Sequence, residues 1–142
     1  MAVTACVTDQ FKQDILSGLI QTSDTFKIAL FLAASSTLGP TTTTYSTTGE
    51  LATSNGYTQG GQTIATYTVG LSSNTAYVTF TTNPSWTATG AGFTADTAVI
   101  YDSTRSNHIV CILSFGSTTA SGGGTFTVQL PAAGASATVT IT

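Results

Sequence analysis

Residues 63–81 read TIATYTVGLSSNTAYVTFT, two seven-residue runs joined by Gly70–Asn74, which is rich in turn formers. In the second run Ala76, Val78 and Phe80 alternate with Thr75, Tyr77 and Thr79, the two-residue period of a strand with one face buried. The first run, Thr63–Val69, carries the same β-branched and aromatic enrichment. The pattern continues downstream in a short piece around Ser85–Ala88, then in Thr97–Tyr101, His108–Phe115, Thr125–Leu130 and Ala137–Ile141. Asn83-Pro84, Gly90–Gly92, Asp102–Asn107, Gly116–Gly124 and Pro131–Gly134 separate these runs. Upstream, Asp24–Leu32 alternates Phe26, Ile28, Leu30 and Leu32 with Lys27, Ala29 and Phe31, and it adds an eighth strand.

Several short strands at close spacing predict a mainly β chain: an antiparallel β-sandwich of about eight strands, jelly-roll-like, in which Asp24–Leu32, Thr97–Tyr101 and His108–Phe115 are central. One helix precedes them. Thr8 and Asp9 supply a cap and a first-turn acid, and Phe11, Ile15 and Leu19 recur at helical spacing within an N-terminal segment, residues 1–21. Residues 35–55 have no apolar period and include four consecutive threonines, so they read as a long surface loop and a candidate contact arm. The 142 residues form one domain on this reading, with no internal repeat.

Composition narrows function. Charged residues are 6% of the chain, three cations against six acids, and polarity comes instead from 32 threonines. Without a basic stretch there is nothing to release counterions from a phosphate backbone, so nucleic acid is not an expected partner. A hydrophobic share of 41% and a positive mean hydropathy argue for a folded chain. A surface so poor in charge has weak electrostatic protection against association, which suits a subunit that lies against neighbours. The longest apolar run near the start, Ile28–Ala34, is too short to span a bilayer, and no secretory signal is visible. The expectation is a protein made in a cytoplasm without export, with no membrane partner.

Catalytic and metal chemistry are thin. His108 is the single imidazole and opens an apolar strand, where a strand-end or interface role fits better than catalysis. Cys6, Cys111 and His108 lack zinc-ligand spacing, and Cys111 lies in an apolar run that suits a buried thiol. Asp96 and Asp102 flank one strand and read as turn residues, not as a glycosidase pair. The bend Gly56–Gln62 leads into a strand and not a helix, so it is no phosphate cradle. No enzyme activity and no cofactor are expected. Trp86, Tyr57, Tyr67, Tyr77 and Tyr101 could form a sugar-stacking face or simply pair across strands.

The ordered blocks FKQDILSGLI, DTFKIALFLA, TTTTYSTTGEL, GYTQGGQTI, SWTATGAGFTADTAVIY, IVCILSFG and GGTFTVQLPAAGASATVTIT resemble small virion structural proteins of tailed bacteriophages, of the capsid decoration or cement type. The resemblance covers nearly the whole chain. It implies a non-enzymatic β body that multimerises on the particle, with the major capsid protein or other virion subunits as partner, and a homo-oligomer with a trimer among its states. It also implies residence on the capsid surface of the virion. The alternative is a tail, baseplate or fibre component that binds a host glycan. Candidate assembly contacts are Phe11, Ile15 and Leu19 in the helical segment, Thr41, Thr44, Tyr45 and Tyr57 in and after the long loop, and Gly122 and Gly123 in the glycine-rich turn.

Overall fold

A computed structural model describes residues 5–64 and 67–142. Thr8 begins the order of the chain. Its hydroxyl accepts from the backbone N–H of Phe11 and donates to the carbonyl of Ile109, while its own N–H reaches the carbonyl of Val110 at 3.1 Å. Helix α1, Asp9–Leu16, is therefore both capped and pinned to the sheet. Gly18 ends it at φ +66°, a left-handed conformation that glycine adopts at little cost. Leu19 accordingly falls beyond the helix and is exposed, whereas Phe11 is buried.

The central sheet has five antiparallel strands: β1 (Cys6–Val7), β2 (Phe26–Phe31), β3 (Gln62–Thr63), β7 (Phe93–Asp102) and β8 (His108–Ala120), in the order β1-β8-β7-β2-β3. The runs expected to be central are central. β2 pairs with β7 over its whole length, from Phe26 opposite Asp102 to Phe31 opposite Thr97. A second, antiparallel sheet holds β4 (Tyr67–Ser72), β5 (Thr75–Phe80) and β10 (Val139–Ile141) in the order β10-β5-β4, and β6 (Ser85–Thr87) pairs with β9 (Thr125–Thr127).

The second sheet and the β6–β9 pair together cover one face of the central sheet. Phe26, Ile28, Leu30, Ile100 and Val110 meet Tyr67, Val78, Phe80, Trp86, Phe126 and Val139 in one apolar cluster. Phe26 stacks on Tyr67 at 5.2 Å between ring centres and meets Phe80 edge-on. This is the sandwich-like, mainly β architecture that the alternating runs predict, with its second layer divided in two.

Several boundaries differ from the sequence reading: β7 begins at Phe93 and not Thr97, β9 ends at Thr127 and not Leu130, and β10 begins at Val139 and not Ala137. The run Thr63–Val69 divides between two sheets as β3 and β4, with Ala65 and Thr66 outside the described residues, and the two-residue β1 is too short to show a period. Among the described residues ten strands thus replace about eight. Gly116–Gly124 is not wholly a separator either, because β8 runs on through Gly116 and pairs Thr118, Thr119 and Ala120 with Ala95, Thr94 and Phe93. Register shifts in this pairing accommodate the extra residues.

Candidate assembly surface

The opposite face of the central sheet is also apolar. Ala29, Phe31, Val99, Tyr101, Ile109 and Ile112 form a second cluster, and what covers it is the stretch expected to be a surface arm. Leu38 is buried in that cluster, and Tyr45 stacks on Tyr101 with ring centres 4.1 Å apart. Backbone bonds hold the cover down: Ile109 N–H to the Thr43 carbonyl, Tyr45 N–H to the Asn107 carbonyl, and Asp9 N–H to the Pro40 carbonyl.

The chain then rounds the β2 edge at Glu50, a buried residue. One carboxylate oxygen of Glu50 accepts from the Tyr57 hydroxyl at 2.6 Å and from the Gly60 N–H at 2.6 Å, and the other accepts from the Tyr45 hydroxyl. The Tyr57 hydroxyl in turn accepts from the Leu30 N–H at 2.9 Å. Burial, reinforced by the hydrogen bond to Glu50, pushes both Tyr45 and Tyr57 far above the ordinary tyrosine range. Burial and the charge of Glu50 push Tyr101 up to about 12. Gly61 completes the bend at φ +67°, where a Cβ would come within 1.8 Å of the Ile28 carbonyl oxygen.

Three further polar groups tie turns and α1 to the sheet. Arg105 grips both carboxylate oxygens of Asp24, whose side chain is 2% exposed. Burial opposes the charge on Asp24, but the hydrogen bonds from Arg105 and the Gln21 N–H outweigh it and hold the carboxyl below its usual range. Asp102, pushed up by burial and by the Asp24 charge, uses Oδ1 to accept from the Thr104 and Arg105 N–H groups, while Oδ2 is buried without a donor. His108 Nδ1 lies 2.8 Å from buried Asp14 Oδ2, so the one imidazole ties β8 to α1. Asp96 accepts from the Ala33 N–H and the Thr97 hydroxyl. Asp102 ends β7, and Asp96 lies within that strand at a register shift and not in a turn.

The predicted contact residues therefore separate. Phe11 and Tyr57 are 1% and 2% exposed, and side chains sealed in the apolar core cannot meet another subunit, which corrects their assignment as contacts. Tyr45 is half-buried and engaged with Tyr101 and Glu50, and Ile15 is half-buried against the inner cluster. Thr41, Thr44 and Leu19 are exposed. Gly122 and Gly123 are exposed, but their close approach is internal: a Cβ on Gly122 would lie 2.2 Å from the Gly90 carbonyl oxygen, and the Gly123 N–H bonds the Ala88 carbonyl.

The sugar-stacking face has also gone inward, since Trp86, Tyr57, Tyr67 and Tyr101 are all buried and only Tyr77 is part-exposed. Cys6 packs with the outer cluster and Cys111 with the inner one, both free, and burial pushes the Cys111 thiol up to about 12. Among the described residues no group of three or more His, Cys, Asp or Glu side chains could hold a metal ion, and no helix is long and apolar enough to cross a membrane. The chain matches no protein-family model, no curated protein and no solved structure.

Proposed function

We propose that this chain is a non-enzymatic structural subunit of a bacteriophage particle, a capsid decoration or cement protein that binds the assembled head lattice and stabilises it. The observation that carries the reading is the withdrawal of charge from the surface. Of six acids, Asp14, Glu50 and Asp102 are buried, and the Asp24 side chain is closed off beneath Arg105. The outside is left to threonine, as at Thr118, Thr119, Thr125, Thr127 and Thr140, over a sheet covered on both faces. Such a surface can lie against like or unlike subunits with little charge to desolvate. A protein that binds only the assembled shell stabilises each site by RT ln(1 + [L]/Kd), about 2.7 kcal/mol at a hundredfold excess over Kd. Its partners on this reading are the major capsid protein and further copies of itself.

The test is to mix purified protein with expanded and unexpanded phage heads and follow co-sedimentation and bound mass. Saturable binding at fixed stoichiometry, with raised thermal resistance of the shell, is the expected result. Binding to neither form rejects the cement role. The glycan-binding alternative has less support, because the aromatic rings it needs are in the core.

A further inference from the structure

The inner face of the second sheet is not covered along its whole length. Across its three strands the rows run Tyr67 opposite Phe80, then Val69 opposite Val78 opposite Val139, then Leu71 opposite Ala76 opposite Ile141. The first row is buried on Phe26, but Val69 is 58% exposed, Leu71 72% and Ile141 56%. The sheet overhangs its partner, and the apolar stripe that should end in the core emerges into solvent. Ile15 and Leu16 of α1 continue the same surface, flanking a groove against Val139 and Ile141, and Leu16 is 89% exposed.

We infer that this overhang is a self-association surface, covered by a second copy of the chain across a two-fold axis. Three observations select that occupant. Among the described residues the one charged side chain lining the groove is Lys12, already paired with Asp9 at 2.9 Å, so they give the surface no charge pattern to choose a different partner and no repulsion from itself. Projecting Leu16 stands beside the groove between Ile15, Val139 and Ile141, so one patch supplies both a knob and a hollow, as a two-fold contact requires. Leu16, Val69, Leu71 and Ile141 together expose on the order of 500 Å², the apolar centre of an interface that needs roughly 800 Å² per partner. Among the described residues the rim is the unpaired edge of β4, which has no charge, proline or bulge to discourage a neighbouring strand. This inference does not rest on the phage reading, since it concerns the purified chain alone.

Sedimentation velocity and native mass spectrometry of the full chain, from nanomolar to high micromolar concentration, test it. The expected result is a concentration-dependent dimer. Leu71→Lys, at a solvent-facing strand position, weakens that dimer at least about thirtyfold while far-UV circular dichroism stays unchanged. Leu16→Glu, at the exposed last residue of α1, does the same by an independent route should Leu71→Lys disturb folding. A wild-type chain that stays monomeric throughout, or a dimer indifferent to a folded variant, overturns the inference.

Discussion

Val99 and Ile100 are neighbours on β7, both fully buried, yet they meet different kinds of cover. Ile100 faces regular strands, whose side chains arrive at a fixed spacing and fill the interior with rings and branched chains. Val99 faces a stretch without strand or helix periodicity, in which Leu38 and Tyr45 do the covering and hydrogen bonds fix their position. One face is held mainly by apolar area and the other by a few anchors. The lesson is that an irregular, threonine-rich stretch can be a structural layer when an acid and two tyrosines clamp its far end.

The largest effect expected from this contrast comes from deleting Thr41–Thr48. The sequence suggests that such a deletion spares the fold, but it removes Tyr45 and the bond from Ile109 to Thr43, and it opens Phe31, Val99, Tyr101 and Ile109 to water. At about 1.5 to 3 kcal/mol for each of these four side chains, the loss is roughly 6 to 12 kcal/mol, comparable to the whole stability of many domains. Chemical denaturation should show a domain largely unfolded without denaturant. A deletion variant of native stability would return the stretch to the status of a dispensable arm.

The contrast between the two covers shows where the sequence is legible. Strand positions carry their own period, so β2, β5 and β7 are readable from Phe26, Val78 or Val99 and their neighbours. The double-sided burial of β2 is also visible, because Ala29 and Phe31 are as apolar as Ile28 and Leu30. What covers the outer face is not visible. Leu38 and Tyr45 are seven residues apart among threonines and have no repeat, and their role depends on contacts with Tyr101 and Ile112 far along the chain. Glu50 carries no periodic signal, and its immediate neighbours do not mark an acid that is to be buried between two tyrosines. A lone acid and scattered aromatics in a charge-poor loop were the available hint.

Paired truncations sharpen the comparison between the faces. Phe26→Ala leaves a cavity among Tyr67, Phe80 and their neighbours, where two sheets cannot easily close in, and it should cost about 3 to 5 kcal/mol. Phe31→Ala, beneath the irregular cover and edge-on to Tyr45, should cost about 1 kcal/mol less, because the cover can settle into the space. Equal losses from matched denaturation curves would mean that the outer cover is as rigid as the sandwich.

Glu50→Ala removes the clamp without truncating a side chain of either apolar cluster. The Tyr57 hydroxyl, the Gly60 N–H and the Tyr45 hydroxyl lose their acceptor, for an expected cost of about 2 to 3 kcal/mol. Hydrogen exchange should accelerate first over residues 38–61 and leave β7 and β8 protected. The same clamp has an alkaline signature. Because the folded-state values of Tyr45, Tyr57 and Tyr101 are raised, their contribution is complete below the unfolded tyrosine range near 10 and is lost as pH rises beyond it, through about 12 for Tyr101. Stability measured from pH 9 to 12 should fall in the wild type and less steeply in Glu50→Ala. Uniform loss of protection, or parallel pH curves, would place the anchoring elsewhere.

The smallest effect has the opposite sign, and it compares the two acids directly. Glu50 is buried with both oxygens engaged, whereas Asp102, opposite Phe26 at the end of β7, has one oxygen buried without a donor beside another carboxylate. A folded-state value raised above the unfolded one means that ionised Asp102 opposes folding at neutral pH, and that its cost fades as pH falls through the raised value. Asp102→Asn keeps the acceptor for the Thr104 and Arg105 N–H groups, removes the charge and places an amide donor at the orphaned position. The variant should gain on the order of 1 kcal/mol at pH 7, and the gain should shrink as the solution is acidified. A loss at pH 7 would show that the Asp102 charge is needed beside Arg105, and the contrast between a satisfied and an unsatisfied buried acid would not hold.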